Sequence, residues 1–148
     1  MIVLDTNVIS ELAKPNTDPA VVAWADAQPI QTLHATTVSE AEMLYGVALL
    51  PAGRRRDDLR RAVITAFATL LAGRVLPFDS AAAAAFAEWA ADRRRAGRPV
   101  SMADLQIAAI ALARGATAIA THNTRDFLGC GVTLIDPWRS TVVSPLAP

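Results

Sequence analysis

The 148-residue chain contains a single cysteine, Cys130, and only two histidines, His34 and His122. One cysteine excludes an intramolecular disulfide and a zinc site built from thiolates. The two histidines cannot form the His-Glu-x-x-His helix of many zinc hydrolases. No apolar run reaches the roughly 18 residues needed to cross a membrane, and the N-terminus lacks the basic segment of a signal peptide. We therefore expect a cytoplasmic protein with no membrane partner.

A large excess of either charge is also missing. Fourteen Lys and Arg residues balance fourteen Asp and Glu residues, so the formal net charge is +0. This balance excludes a uniformly basic surface for nucleic acid, although it allows a local basic patch. What the chain does have is apolar residues, at 53% of the total against 19% charged. That content is sufficient to bury the core of one compact domain of this length.

Short apolar runs alternate with longer segments of helical pattern, and several of these segments begin at a capping residue and end at glycine or proline. Strands that are separated by helices pair in parallel through right-handed crossovers. The pattern predicts an α/β fold: a single three-layer domain over 1–138 with a short central parallel sheet of four or five strands flanked by helices. We expect a weakly structured C-terminal tail over 139–148. The strands are predicted at 2–4, 32–35, 75–76, 117–120 and 132–135.

Four acidic residues, Asp5, Glu42, Asp104 and Asp126, follow predicted strands or lie in the early turns of predicted helices. Each has an alternative structural role: Asp5 in an Asx turn, Glu42 in an ion pair with an arginine, and Asp104 and Asp126 in helix caps. In open α/β sheets, binding sites lie beyond the carboxyl ends of the strands. Carboxylates that converge there would repel one another without a divalent cation. Mg²⁺ accepts such oxygen ligands and supports phosphodiester cleavage.

Four sequence blocks, taken in order, resemble the motifs of the PIN-domain ribonucleases, specifically the VapC-type toxins of bacterial toxin–antitoxin pairs. The blocks are LDTNVIS at 4–10, VSEAEMLYG at 38–46, ADLQIAA at 103–109 and ATHNTRDF at 120–127, and the segment 131–138 is similar to the usual family ending. The resemblance covers nearly the whole chain. It implies an endoribonuclease that depends on Mg²⁺ or Mn²⁺ and cleaves RNA, that forms a homodimer, and that a co-encoded antitoxin protein inhibits.

By position, the resemblance implies that Asp5, Glu42 and Asp104 are the core metal-binding and catalytic acids and that Asp126 is the variable fourth. Two residues depart from the family pattern. His122 stands where arginine is frequent, and Asp136 begins an Asp-Pro-Trp segment where Asn-Pro-Trp is commoner. Neither departure affects the core acids. We expect the substrate contacts near His122 to differ from those of other family members. The supporting polar residues implied by the resemblance are Thr6, Asn7, Thr121 and Asn123.

Two runs of arginine, at 54–61 and at 93–98, are candidates for contact with RNA phosphates. Their alternative is an ordinary solvated helix face with aspartates nearby. The second run is the better candidate for RNA binding because it precedes Asp104 in the chain. The predicted RNA-binding residues are Arg93, Arg94, Arg95, Arg98 and His122. The alternative function is a catalytically silent PIN-fold module that binds RNA or protein, and the presence of all four acids argues against it.

Overall fold

The computed structural model describes residues 1–69 and 71–145. These residues form six β-strands and seven α-helices, with one or two helices between successive strands up to β5. A 3₁₀ turn at Ile30–Thr32 precedes the second strand. No helix in these two segments is long and apolar enough to span a membrane. The strands are β1 (Ile2–Leu4), β2 (Leu33–Thr36), β3 (Val75–Leu76), β4 (Ala118–Ala120), β5 (Thr133–Asp136) and β6 (Thr141–Val143). The helices are α1 (Thr6–Leu12), α2 (Pro19–Asp26), α3 (Thr37–Ala48), α4 (Arg54–Thr69), α5 (Ser80–Arg95), α6 (Met102–Ala113) and α7 (Thr124–Phe127).

The strands form one sheet in the order β3-β2-β1-β4-β5-β6, and all neighbours are parallel except β5 and β6. The chain runs outward from β1 in both directions, so the strand order reverses between β1 and β4. A crevice forms at such a point, beyond the carboxyl ends of the strands. The register aligns Leu4 with Ala120 and Ala120 with Ile135. The residues that follow these three therefore emerge together at that edge.

Two hydrophobic clusters cover opposite faces of the sheet, which is the predicted three-layer arrangement. Val3 belongs to the cluster with α5, α6 and α7, whereas the next residue, Leu4, belongs to the cluster with α1 to α4. Side chains that alternate along a strand point to opposite faces, so even a three-residue strand joins both clusters. Half of the residues of helix α6 are buried, and Ile107 and Ile110 among them are fully inaccessible to solvent.

Two details of the sequence-based prediction differ from the structure. The prediction of four or five strands, all parallel, omits β6, because the chain turns back after Pro137 and pairs antiparallel with β5 through Leu134↔Val143 and Asp136↔Thr141. An Arg139 N–H to Asp136 carbonyl bond of 3.3 Å closes the turn. Consequently, the expectation of a weakly structured tail over 139–148 does not describe 141–143, and residues 146–148 lie outside the described residues.

Candidate active site

A row of buried polar side chains marks the carboxyl edge of the sheet. Asp5 and Thr121 directly follow β1 and β4, while Thr36 and Asp136 are the last residues of β2 and β5. The register between neighbouring strands places all four at one level. Each is at most 3% exposed. Buried polar groups are costly unless they are hydrogen-bonded, so this row needs internal partners or a ligand.

Asp5 receives three hydrogen bonds. Thr121 Oγ1 donates to Asp5 Oδ2 over 2.7 Å, and Asn7 Nδ2 donates to the same oxygen over 2.6 Å. The backbone N–H of Thr6 donates to Oδ1 over 2.7 Å, so Asp5 also caps α1. The local turn anticipated from sequence is therefore present. The bond from Thr121 is additional and comes from the other end of the chain, which fixes the orientation of the carboxylate from two sides.

The pKa of Asp5 is raised from its ordinary value of 3.8 to about 6. Burial is the largest cause, because loss of solvent disfavours the charged form. The negative charges of Asp104 and Glu42 raise the pKa further, whereas hydrogen bonds from Thr121 and Thr6 lower it. Asp5 is therefore a carboxylate whose negative charge is incompletely compensated by its neighbours.

Glu42 lies in α3 and is half-buried. Its Oε2 accepts a hydrogen bond of 2.5 Å from Thr6 Oγ1, which belongs to α1. Within residues 1–69 and 71–145, no lysine, arginine or histidine forms an ion pair with Glu42, Asp5, Asp104 or Asp126. The ion pair with an arginine that the sequence left open for Glu42 is absent there. The hydroxyl of a neighbouring threonine contacts the carboxylate instead.

Asp104 links Asp126 electrostatically to Asp5 and Glu42. Its backbone N–H donates to Ser101 Oγ over 3.0 Å, so the predicted cap of α6 is present. Its carboxyl group is half-buried, and its pKa is raised chiefly by burial and then by the charges of Asp126 and Glu42, against a hydrogen bond from Ser101 that lowers it. Since Asp104 also raises the pKa of Asp5, the four predicted acids influence one another electrostatically through Asp104.

The donor set is compatible with a hydrated divalent cation. All four candidate ligands are carboxylates, which are the oxygen ligands that Mg²⁺ and Mn²⁺ prefer. In the described part of the chain, no three His, Cys, Asp or Glu side chains are close enough to form one direct coordination shell. Mg²⁺ usually retains several waters and contacts only one or two carboxylates. The uncompensated charge around Asp5 and Asp104 therefore fits a cation that is held partly through water.

The supporting polar residues predicted from the sequence play unequal roles. Asn7 and Thr121 contact each other as well as Asp5, through Asn7 Nδ2 and Thr121 Oγ1 at 3.2 Å. Asn123 takes part through its main chain, where its N–H donates to Thr121 Oγ1 over 3.0 Å. The side chain of Asn123 is exposed and makes no capping bond to α7. Thr121 therefore lies at the centre of this network.

The arginines at the end of α5 differ in their surroundings. Arg93 donates to the carbonyl of Leu128 over 3.2 Å, and its guanidinium lies 5.8 Å from the ring centre of Trp89. Arg95 pairs with Asp92 on the helix surface. Arg94 and Arg98 are exposed. Arg93, one of the predicted RNA contacts, thus connects α5 to the segment after α7.

Sequence reasoning missed the role of Asp136, which it noted only as a departure from a pattern. His122 Nδ1 lies 3.4 Å from Asp136 Oδ1, and Arg139 Nε lies 3.7 Å from Asp136 Oδ2. The N–H of Trp138 donates to Asp136 Oδ1 over 3.0 Å. A usable signal was present, because Asp136 is the first charged residue after the predicted strand 132–135, as Asp5 is after the predicted strand 2–4.

Comparisons with known proteins agree with this architecture. The model of the PIN domain family matches residues 2–128. The chain is 45% identical over 139 residues to VapC ribonuclease Y4jK of Sinorhizobium fredii, covering 94% of this chain and 99% of the relative. It is 37% identical over 139 residues to toxin FitB of Neisseria gonorrhoeae, with coverage of 94% and 99%. The structure of FitAB bound to an IR36 DNA fragment matches with a TM-score of 0.83 at 37% identity, covering 93% of this chain and 96% of that one.

Proposed function

Since the chain belongs to the PIN domain family, we propose that it is a metal-dependent endoribonuclease that acts as the toxin of a toxin–antitoxin pair. One observation carries the proposal: Asp5, Glu42 and Asp104 act on one another electrostatically without a basic partner among the described residues. Such a concentration of negative charge is stabilised by a divalent cation. The printed name of the VapC ribonuclease relative supports the same reaction class.

We propose that Asp5, Glu42, Asp104 and Asp126 hold Mg²⁺ or Mn²⁺. The cation would supply Lewis-acid chemistry for the attack of water on a phosphodiester and would offset the charge on phosphate. Around it, Thr121 and Asn7 fix Asp5 Oδ2, and Thr6 fixes Glu42 Oε2. Partners of this kind orient metal ligands and commonly change metal affinity by roughly 10- to 100-fold. Nuclease activity is assigned to residues 1–138.

The proposed protein partners are an antitoxin and a second copy of the chain, and the proposed compartment is the cytoplasm. Tyr45 on α3 and Leu49, the residue that caps its C-terminal end, are 65% and 67% exposed. Large apolar side chains this exposed are typical of binding surfaces when they are adjacent. The FitB relative is named a toxin, and the FitAB structure contains FitB with its partner. These observations support a protein partner that covers the exposed apolar side chains near Glu42.

The decisive experiment is cleavage of total RNA by the purified protein with Mg²⁺ or Mn²⁺, with and without EDTA. Asp104→Asn removes one charge from the site while keeping the size of the side chain. Asp58→Asn is the matched control, because Asp58 is exposed and pairs with Arg61 on α4. We expect discrete fragments from the wild type and from Asp58→Asn, and none from Asp104→Asn or in EDTA.

Two outcomes would contradict the proposal. Equal cleavage by the wild type and Asp104→Asn would identify a contaminating nuclease. If the wild type does not cleave RNA and the metal does not raise its melting temperature, the alternative of a silent PIN-fold binding module is favoured. A cation that binds the folded state stabilises it by mass action, so the melting temperature tests metal binding independently of the identity of the RNA.

A further inference from the structure

Asp136 is a buried carboxylate that holds two exposed basic side chains. Its side chain is 5% exposed, whereas those of His122 and Arg139 are 46% and 73% exposed. His122 Nδ1 faces Oδ1 at 3.4 Å, and Arg139 Nε faces Oδ2 at 3.7 Å. The two basic side chains therefore lie side by side on the same carboxylate, one contacting each oxygen.

Of these two residues, His122 adjoins the acidic site through its backbone. The N–H of His122 donates to Asn7 Oδ1 over 3.2 Å, and the amide of Asn7 donates to Asp5 Oδ2. The imidazole also lies against the indole of Trp138, with ring centres 4.7 Å apart. Asp136, the indole and the backbone bond together restrict where the imidazole can lie. One residue, Asn7, separates His122 from the carboxylate of Asp5.

The atoms that contact Asp136 leave other donors available. Arg139 uses Nε, so its two terminal nitrogens remain, and these present the paired N–H groups that suit a phosphate. His122 uses Nδ1, and Nε2 is a second N–H donor when the imidazole is protonated and paired with Asp136. An arginine that already forms an ion pair loses less side-chain freedom on binding than one without a partner. Asp136 can therefore prepare both side chains for the same ligand.

We propose that His122 and Arg139, oriented by Asp136, bind a backbone phosphate of the RNA next to the acidic site. This inference rests on the proposed ribonuclease function and specifies how that site holds its substrate. A polyanion that approaches four carboxylates is repelled by them, and a basic group near them lowers that repulsion. Arg93 and Arg95, which the sequence favoured for this role, already contact Leu128 and Asp92.

The test is the salt dependence of binding to a fluorescein-labelled oligouridylate, measured by anisotropy in an Asp104→Asn background that prevents cleavage. Removal of one phosphate contact lowers the slope of log K against log salt concentration by about 0.7 for a single strand. Arg139→Gln is expected to lower the slope by that amount and to weaken binding. The control is Arg114→Gln, which also removes an arginine paired with an aspartate, Asp79. Arg114 caps the end of α6 opposite to Asp104. We therefore expect the salt slope of Arg114→Gln to equal that of the Asp104→Asn protein without a further substitution.

A second measurement separates substrate positioning from a purely structural role. In the cleavage-competent protein, His122→Gln and Asp136→Asn are expected to raise KM for the RNA several-fold while kcat stays within about twofold. Loss of a group that binds substrate and transition state equally has this signature. A change that damages only the fold would lower the melting temperature and the active fraction, which lowers kcat instead. The His122→Gln variant keeps the test informative, because its side chain is exposed and its loss does not empty the core.

The possible results distinguish this inference from the proposed function. If the wild type cleaves RNA but Arg139→Gln and Arg114→Gln show equal slopes, the phosphate contact is refuted and the nuclease assignment stands. An unchanged KM in both His122→Gln and Asp136→Asn would refute the positioning role of Asp136. If the wild-type chain neither cleaves nor binds RNA in a salt-dependent manner, both proposals fail.

Discussion

Thr121 Oγ1 donates a hydrogen bond to Asp5 Oδ2 over 2.7 Å, although the two residues are separated by 116 positions in the sequence. The bond forms because β1 and β4 are parallel neighbours in a register that pairs Leu4 with Ala120. Asp5 and Thr121 are the next residues, so they leave the sheet side by side. The most buried acid of the candidate site thus depends on the pairing of the first strand with the fourth.

Replacement of Thr121 by valine is expected to destabilise the protein by about 1–3 kcal/mol. The change keeps the volume of the side chain but leaves Asp5 Oδ2 without one buried donor, and such losses have this magnitude. Chemical denaturation measures the free energy of unfolding. Thr69→Val is the matched control, because the Thr69 hydroxyl bonds to a carbonyl on the exposed surface of α4. Equal destabilisation in the two variants would show that the bond to Asp5 contributes nothing specific.

The raised pKa of Asp5 predicts a specific pH dependence in the metal-free protein. The folded state holds the proton up to about pH 6, whereas an unfolded aspartate loses it near 3.8. The folded state therefore binds more protons between these values, and the contribution of Asp5 to the free energy of unfolding falls as pH rises through this window, by about 3 kcal/mol in all. Denaturation in EDTA at several pH values, comparing the wild type with Asp5→Asn, isolates this term. A difference between them that does not change from pH 4 to 7 would contradict it.

The hydrogen bond from Thr6 to Glu42 predicts a loss of metal affinity when either partner is changed. Glu42→Gln removes a candidate ligand. Thr6→Val leaves that ligand in place but removes the hydrogen bond that orients it, so we expect the metal affinity of Thr6→Val to be roughly 10- to 100-fold weaker. The melting temperature as a function of Mn²⁺ concentration reports this affinity. Glu40→Gln, in the first turn of the same helix, is the control and should match the wild type. A common titration midpoint for Glu42→Gln and Glu40→Gln would remove Glu42 from the site.

Arg93 is predicted to stabilise the fold rather than to bind RNA. Arg93→Ala removes the bond to the Leu128 carbonyl and the contact with Trp89, which is expected to cost about 1–2 kcal/mol. Arg94→Ala, an exposed neighbour, should change stability by less than about 0.5 kcal/mol. Both free energies come from chemical denaturation. If Arg93→Ala leaves stability unchanged but weakens RNA binding more than Arg94→Ala does, the RNA-binding role predicted from the sequence would be restored.

The sequence by itself determined the features that depend on neighbouring residues. Asp18, Asp79 and Ser101 each precede a helix, and each accepts a bond from the backbone within the next turn. Capping acts over two or three residues, so the local pattern carries the information. The PIN resemblance was likewise carried by motifs that are each short in sequence, and the family model confirms it. The identity of the candidate acids followed from those motifs.

Only the tertiary structure decided how residues distant in sequence are brought together. The pairing of β6 with β5, the buried row that includes Thr36 and Asp136, and the contact of Arg93 with Leu128 all depend on strand order, register and helix docking. An arginine has the same charge and the same position in the sequence whether it contacts a carbonyl or solvent, so the sequence alone does not distinguish the two cases. Burial and hydrogen-bond geometry are fixed only when the sheet and its helices assemble. For this reason the sequence supplied the candidate acids, while the structure identified the residues that contact them.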